Sequence, residues 1–154
     1  MLTVPRLLVK TCVLCTVALV ALAPRLLDGQ STAPRDTTPE AVVRGFVQAF
    51  NAHNLDALLS FVAPEIVWLS VAGDSVTIEA RGVGVLREQM GGYFRQLPSA
   101  RSELETLTTL GPWVSARERV HWMAASGPRS QASLSVYEIR AGLVRRVWYF
   151  PVVR

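Results

Sequence analysis

The chain has 154 residues, 16 of them Lys or Arg and 12 Asp or Glu, with half of all residues hydrophobic and 18% charged. That length suits one domain with a real core, so no disulfide or metal is needed to hold it, and the apolar content excludes a mainly disordered chain. Setting aside residues 1–23 removes Arg6 and Lys10 and lowers the formal charge from +4 to +2, and the later arginines are scattered apart from Arg145-Arg146. No basic run tracks a phosphate backbone, so nucleic acid is not expected as a partner.

Two positive charges in Met1–Lys10 precede Thr11–Ala23, an uncharged and largely apolar run of 13 residues ending in Ala21-Leu22-Ala23. This is the layout of a secretory signal peptide, so residues 1–23 are expected to direct export to a periplasm or the medium. A membrane span needs about 20 apolar residues, so no stable span is expected after processing. An uncleaved N-terminal anchor is the alternative, because Pro24 is an awkward first residue for a mature chain. Cys12 and Cys15 lie inside the apolar run as small hydrophobes. Their removal leaves a cysteine-free chain, which suits an oxidising compartment.

Residues 24–37 lack periodicity and read as a linker, with the domain proper at 38–154. Thr38 is placed to cap a helix that has Pro39 in its first position and Glu40 in its first turn. Val42, Val43, Phe46, Val47 and Phe50 follow at helical spacing. Asn54 caps a second short helix through Leu55, Leu58, Leu59 and Val62, which Pro64 ends.

Glu65–Val71 and Ser75–Ala80 read as strands around the Gly73-Asp74 turn. A third helix covers Val83–Leu97 and carries the unusual pair Gly91-Gly92, read either as a thin wall that leaves pocket volume or as close packing of backbone on sheet. Four strand runs follow, Arg101–Leu110, Trp113–Ala125, Ser130–Arg140 and Leu143–Val153. The order predicts an α+β fold.

In Trp113–Ala125 one face is Val114, Ala116, Glu118, Val120, Trp122 and Ala124; the other carries Ser115, Arg117, Arg119, His121 and Met123. Burial in the first stripe disfavours a charged carboxylate, the condition an acid/base group near neutral pH requires, so Glu118 is the catalytic candidate. The structural alternative is that Glu118 pairs with an arginine or sits at a wet rim. His53, expected to be solvated in a helix–helix turn, and His121 have no third ligand at suitable spacing, so neither metal nor cofactor is expected.

The stretch TPEAVVRGFVQAFNAHNLDALLSFVAPEIVW resembles the opening of SnoaL-like domains in the nuclear transport factor 2-like superfamily, and YEIRAGLVRRVWYF resembles their closing strand pair. The resemblance covers roughly residues 38–151. It implies a curved, mostly antiparallel sheet wrapped around about three helices, a cystatin-like cone with a pocket at its open end. The steroid-isomerase branch uses two acids and a tyrosine at positions that match Ser70, Ser135 and Phe46 here, so that mechanism does not transfer.

The implied ligand is a small, mostly apolar molecule, met by Trp68, Trp122, Tyr137 and Tyr149 as aromatic lining and by Ser70, Ser135 and Tyr137 as orienting groups. The expected activity is binding, with acid/base isomerase, cyclase or hydrolase chemistry as its enzymatic form. A non-catalytic binding or assembly module is the rival. The resemblance directs Ser133, Ser135, Tyr137 and Ile139 into the cone. Ala132, Leu134, Val136 and Glu138, with Trp148 and Phe150 of the next strand, then face outward and predict a homodimer through the sheet.

Overall fold

The computed structural model describes residues 35–150. The expected signal peptide, its two cysteines, linker residues 24–34 and the last four residues lie outside that range. The elements are α1 Pro39–Asn51, α2 Leu55–Leu59, β1 Val62–Ala72, β2 Ser75–Arg81, α3 Val83–Gln96, β3 Arg101–Leu110, β4 Trp113–Ala124, β5 Gly127–Arg140 and β6 Leu143–Tyr149. The strands form one curved sheet, not closed into a barrel, in the order β2-β1-β6-β5-β4-β3. All neighbours are antiparallel except β1 and β6, the first and last strands, which run parallel.

Helix α1 lies on the sheet because its apolar positions fall on one face. Val42, Val43, Phe46, Val47 and Ala49 are buried, while Glu40 and Arg44 pair on the wet side at 2.7 Å. Phe46 is the central contact, edge-on to Tyr137 of β5 and tilted against Trp68 of β1. Helix α3 covers β1 and β2, with Leu86 fully buried. Neither Gly91 nor Gly92 is closely packed. An added methyl at Gly91 would meet only Arg95 Nη1 at 3.4 Å and Leu55 Cδ2 at 3.6 Å, and at Gly92 only Arg95 Nη2 at 3.9 Å.

Several boundaries differ from the sequence expectation. Thr38 occupies the N-cap position without a side-chain bond; Asp36 Oδ1 instead accepts from Thr38 N at 2.9 Å. That bond holds the Asp36 carboxyl below its usual range. Helix α2 ends at Leu59, where Ser60 Oγ donates to Ala57 O, so Val62 opens β1 and Pro64 sits inside the strand. Proline is accommodated there because the β1–β6 register is interrupted between Val62 and Val67, where no donor is required.

Strand β5 likewise starts at Gly127, earlier than Ser130, with Pro128 opposite Met123. Met123 N turns away to Ser99 Oγ at 2.9 Å, so this pair needs no proline donor. The last linker residues are docked: the Arg35 guanidinium lies 3.3 Å over the Phe61 ring and bonds Ser60 O and Oγ.

On the outer face of the sheet, Arg117 and Arg119 both pair with Glu105, the bulged residue of β3, and hold its carboxyl below the usual range, chiefly through the Arg119 hydrogen bond. Leu134 and Trp113 are exposed there, and Trp113 packs against Trp148 across β5 at 5.5 Å. Three expected members of that face behave differently. Ala132 and Glu138 are buried, Glu138 between Arg140 at 3.0 Å and Arg146 at 3.4 Å, and Phe150, just beyond the end of β6, borders the inner cavity.

Candidate functional site

The concave face leaves a cavity of about 430 Å³ between α1, α3 and the sheet. Phe46, Val47 and Phe50 line it from α1, one turn apart, and Met90 and Tyr93 from α3. Strand β1 adds Trp68 and Ser70, β4 adds Glu118 and Val120, β5 adds Gln131 and Ser133, and the end of β6 adds Tyr149 and Phe150. Trp68 and Tyr149 stack at 5.1 Å and 12°, because they lie on neighbouring strands and are one register step apart (Trp68 opposite Val147, Ser70 opposite Tyr149).

Glu118 is 2% exposed and neither pairs with an arginine nor lies at a rim. Its Oε1 accepts from Ser135 Oγ and Tyr137 OH, and its Oε2 accepts from Tyr149 OH at 3.0 Å and Ser102 Oγ at 3.3 Å. A carboxylate has about four lone-pair sites, and here four hydroxyls from three strands fill them. Tyr137 and Tyr149 have hydroxyl pKa values raised well above 10, first by burial and then by the charge of Glu118. Tyr93 is raised more modestly, by burial alone.

Of the residues singled out from sequence, Trp68, Ser70, Glu118 and Tyr149 line the cavity. Ser135 and Tyr137 do not; both are fully buried behind Glu118 and bond to it. Trp122 also stays outside. It is half-buried opposite Arg129, two residues beyond Val120 toward the β4–β5 hairpin: the right face of the strand, too far along it.

His53 is half-buried, not fully solvated as expected. At φ 50° it terminates α1, its ring stacks on Phe94 at 4.5 Å, and its Nε2 lies 2.9 Å from Ala100 O and 2.8 Å from Arg101 Nη1. Ser133, which the resemblance directs into the cone, does line the cavity. Sequence reasoning missed Ser102, Gln131 and the cavity role of Phe50, Met90 and Tyr93. For Phe50 the signal was present, since it lies on the apolar face of the first helix. Among the described residues no three His, Cys, Asp or Glu side chains stand together as a metal site, and no helix is long and apolar enough to cross a membrane.

A family model described as a SnoaL-like domain matches residues 43–147. A search of curated protein sequences finds no significant match. Among solved structures, a SnoaL-like polyketide cyclase from Agrobacterium tumefaciens str. C58 aligns with TM-score 0.62 at 18% identity, covering 76% of this chain and 92% of that one. A cystatin-fold protein from Novosphingobium aromaticivorans aligns with TM-score 0.62 at 20% identity, covering 76% and 98%. Wild-type IdmH from Streptomyces antibioticus aligns with TM-score 0.63 at 19% identity, covering 73% and 90%. At these identities the likeness is one of fold.

Proposed function

The chain belongs to the SnoaL-like domain family, and on that premise we propose that it takes up a small, mostly apolar molecule in its cavity. The observation that carries the reading is Glu118, a buried carboxylate set in a mostly apolar and aromatic wall and held by hydroxyls from three strands. A few fixed polar groups in an apolar lining are what orients a small ligand. Ser70 and Ser133 supply further polar tips on neighbouring walls.

The acid/base form of this reading runs through Tyr149. The lone-pair sites of Glu118 are filled, so a ligand proton reaches it by passing to the phenol oxygen while the phenol proton is transferred to Oε2 along the 3.0 Å O–H···O hydrogen bond. Mass spectrometry of small molecules that copurify with the protein tests the binding reading. An apolar compound released on denaturation, and absent from a cavity-filling Val120→Trp variant, is expected. Identical extracts from the two proteins would remove the reading.

Export and self-association belong to the same proposal. Export is supported by the charged start and apolar run of residues 1–23, and an intact mass beginning at Pro24 or later in the linker, in an extracytoplasmic fraction, is the expected outcome. A full-length mass in the cytosol contradicts it. A homodimer through the outer sheet face is supported by exposed Leu134 and by the Trp113–Trp148 pair flanking Val136.

A further inference from the structure

Among the described residues two glutamates are buried, on opposite faces of one sheet, and their environments differ in kind. Glu138, 4% exposed on the outer face, lies between the guanidinium groups of Arg140 and Arg146. Glu118, 2% exposed on the inner face, has four hydroxyls and no cation. Among the described residues no Arg, Lys or His lines the cavity. Hydroxyls satisfy the hydrogen-bonding capacity of a carboxylate but leave its charge uncompensated, and buried charges in proteins are ordinarily paired.

We propose that the missing counter-charge is the ligand's: the cavity selects an organic cation, an amine on a flat apolar frame, over neutral or anionic molecules of the same shape. The proposal rests on the reading of the cavity as a ligand site. Three features of the cavity support the choice. Its negative charge acts across a region walled by apolar side chains, where Coulomb interactions are screened less than in water. Phe46, Phe50, Trp68, Tyr93, Tyr149 and Phe150 contribute aromatic rings, whose negative faces attract ammonium groups and offer nothing to a carboxylate. The uncharged polar tips of Ser70, Ser133 and Gln131 can accept the N–H groups that do not point at Glu118.

The occupied lone pairs of Glu118 favour the same answer. A neutral hydroxyl gains from the carboxylate only by displacing one of its four donors. An ammonium is attracted by the full charge even from behind them.

The test is calorimetric titration of the protein at neutral pH with three probes of one frame: 2-naphthylmethylamine, 2-naphthalenemethanol and 2-naphthoate. The amine, protonated at that pH, is expected to bind about tenfold or more tightly than the alcohol, and the carboxylate most weakly. Glu118→Gln should bring amine and alcohol to equal affinity while the alcohol still binds. Ser133→Lys leaves the hydroxyl network in place and sets a cation on the residue opposite Glu118 in the β4–β5 register, so it should abolish the amine preference by a second route.

Alcohol binding as tight as amine in the unaltered protein overturns the proposal. A preference that survives Ser133→Lys also overturns it. Binding of the alcohol without preference leaves the cavity reading standing, whereas no binding of any probe removes both.

Discussion

Asn51 and Ser102, one at the end of α1 and the other in the edge strand β3, are joined by two hydrogen bonds: Asn51 Nδ2 donates to Ser102 O at 2.7 Å and Ser102 N donates to Asn51 Oδ1 at 2.6 Å. The side-chain amide thus acts as a further strand for one residue. It fixes the backbone from which Ser102 Oγ reaches Glu118. Asn51→Leu leaves a half-buried N–H and C=O unpaired and should cost about 1–3 kcal/mol in urea unfolding. The same variant should weaken cavity binding in calorimetry although Asn51 does not line the cavity.

Glu118→Leu strands four hydroxyls without their acceptor, and a loss of about 3 kcal/mol or more is expected by chemical denaturation. Adding Tyr137→Phe to Glu118→Leu should recover part of that loss, since it removes one of the orphaned groups. A double variant less stable than the single one by the full cost of Tyr137→Phe alone would show that the two residues are not coupled.

Gly45 of α1 faces the Phe61 ring so closely that an added methyl would overlap it, while Arg35 covers that ring from above. Gly45→Ala should therefore destabilise the domain by about 1–3 kcal/mol. Gly91→Ala and Gly92→Ala meet no such obstacle in α3 and should each stabilise by about 0.5–1 kcal/mol through the helix preference of alanine. Thermal unfolding of the three variants checks all three signs.

The raised hydroxyl pKa values of Tyr137 and Tyr149 set an alkaline limit. In the unfolded chain these phenols ionise near 10; in the fold they hold their protons to higher pH. The stability they contribute is therefore complete below about pH 10 and falls as pH rises beyond it toward the folded values. Urea midpoints should be flat from pH 8 to about 9.5 and drop steeply above 10. Tyr149→Phe, which removes one of the two groups, should make the drop shallower.

Trp148→Arg, placed on the outer face beside Trp113, should convert a dimer into a monomer in light scattering without changing cavity binding. A monomer already present in the unaltered protein at micromolar concentration would dispose of the dimer.

Much of this arrangement is written locally in the chain. Helical spacing in Val42–Phe50 and alternation in Trp113–Ala124 give both the elements and their inward faces, and Glu118 stands out because it interrupts an apolar stripe. Alternation fixes a face but not a depth, and for that reason Trp122 shares the face of Glu118 yet lies beyond the cavity. Nor does it place Phe150, the residue after β6, which lines the cavity although alternation puts it on the outward face with Trp148. Ser102 could not be read out, because its place depends on Asn51, far away in sequence, and on the bulge at Glu105 that shifts the β3 register. The burial of Glu138 depends in part on Arg146, which meets it only once β5 and β6 have paired, beside Arg140 of its own strand.

The parallel seam between β1 and β6 governs when the binding wall can exist. Strands β3 to β6 are joined by hairpins and can form in succession, whereas β1 must wait, with its β2 partner, for the last strand of the sheet. Closing so long an intervening loop is slow, and contacts of this separation dominate folding time. Trp68 and Tyr149 stack across that seam. Their contact is thus a late event, and indole fluorescence in the Trp113→Phe/Trp122→Phe/Trp148→Phe background should lag behind circular dichroism during refolding. A molecule that needs both rings recognises only chains that have completed this step.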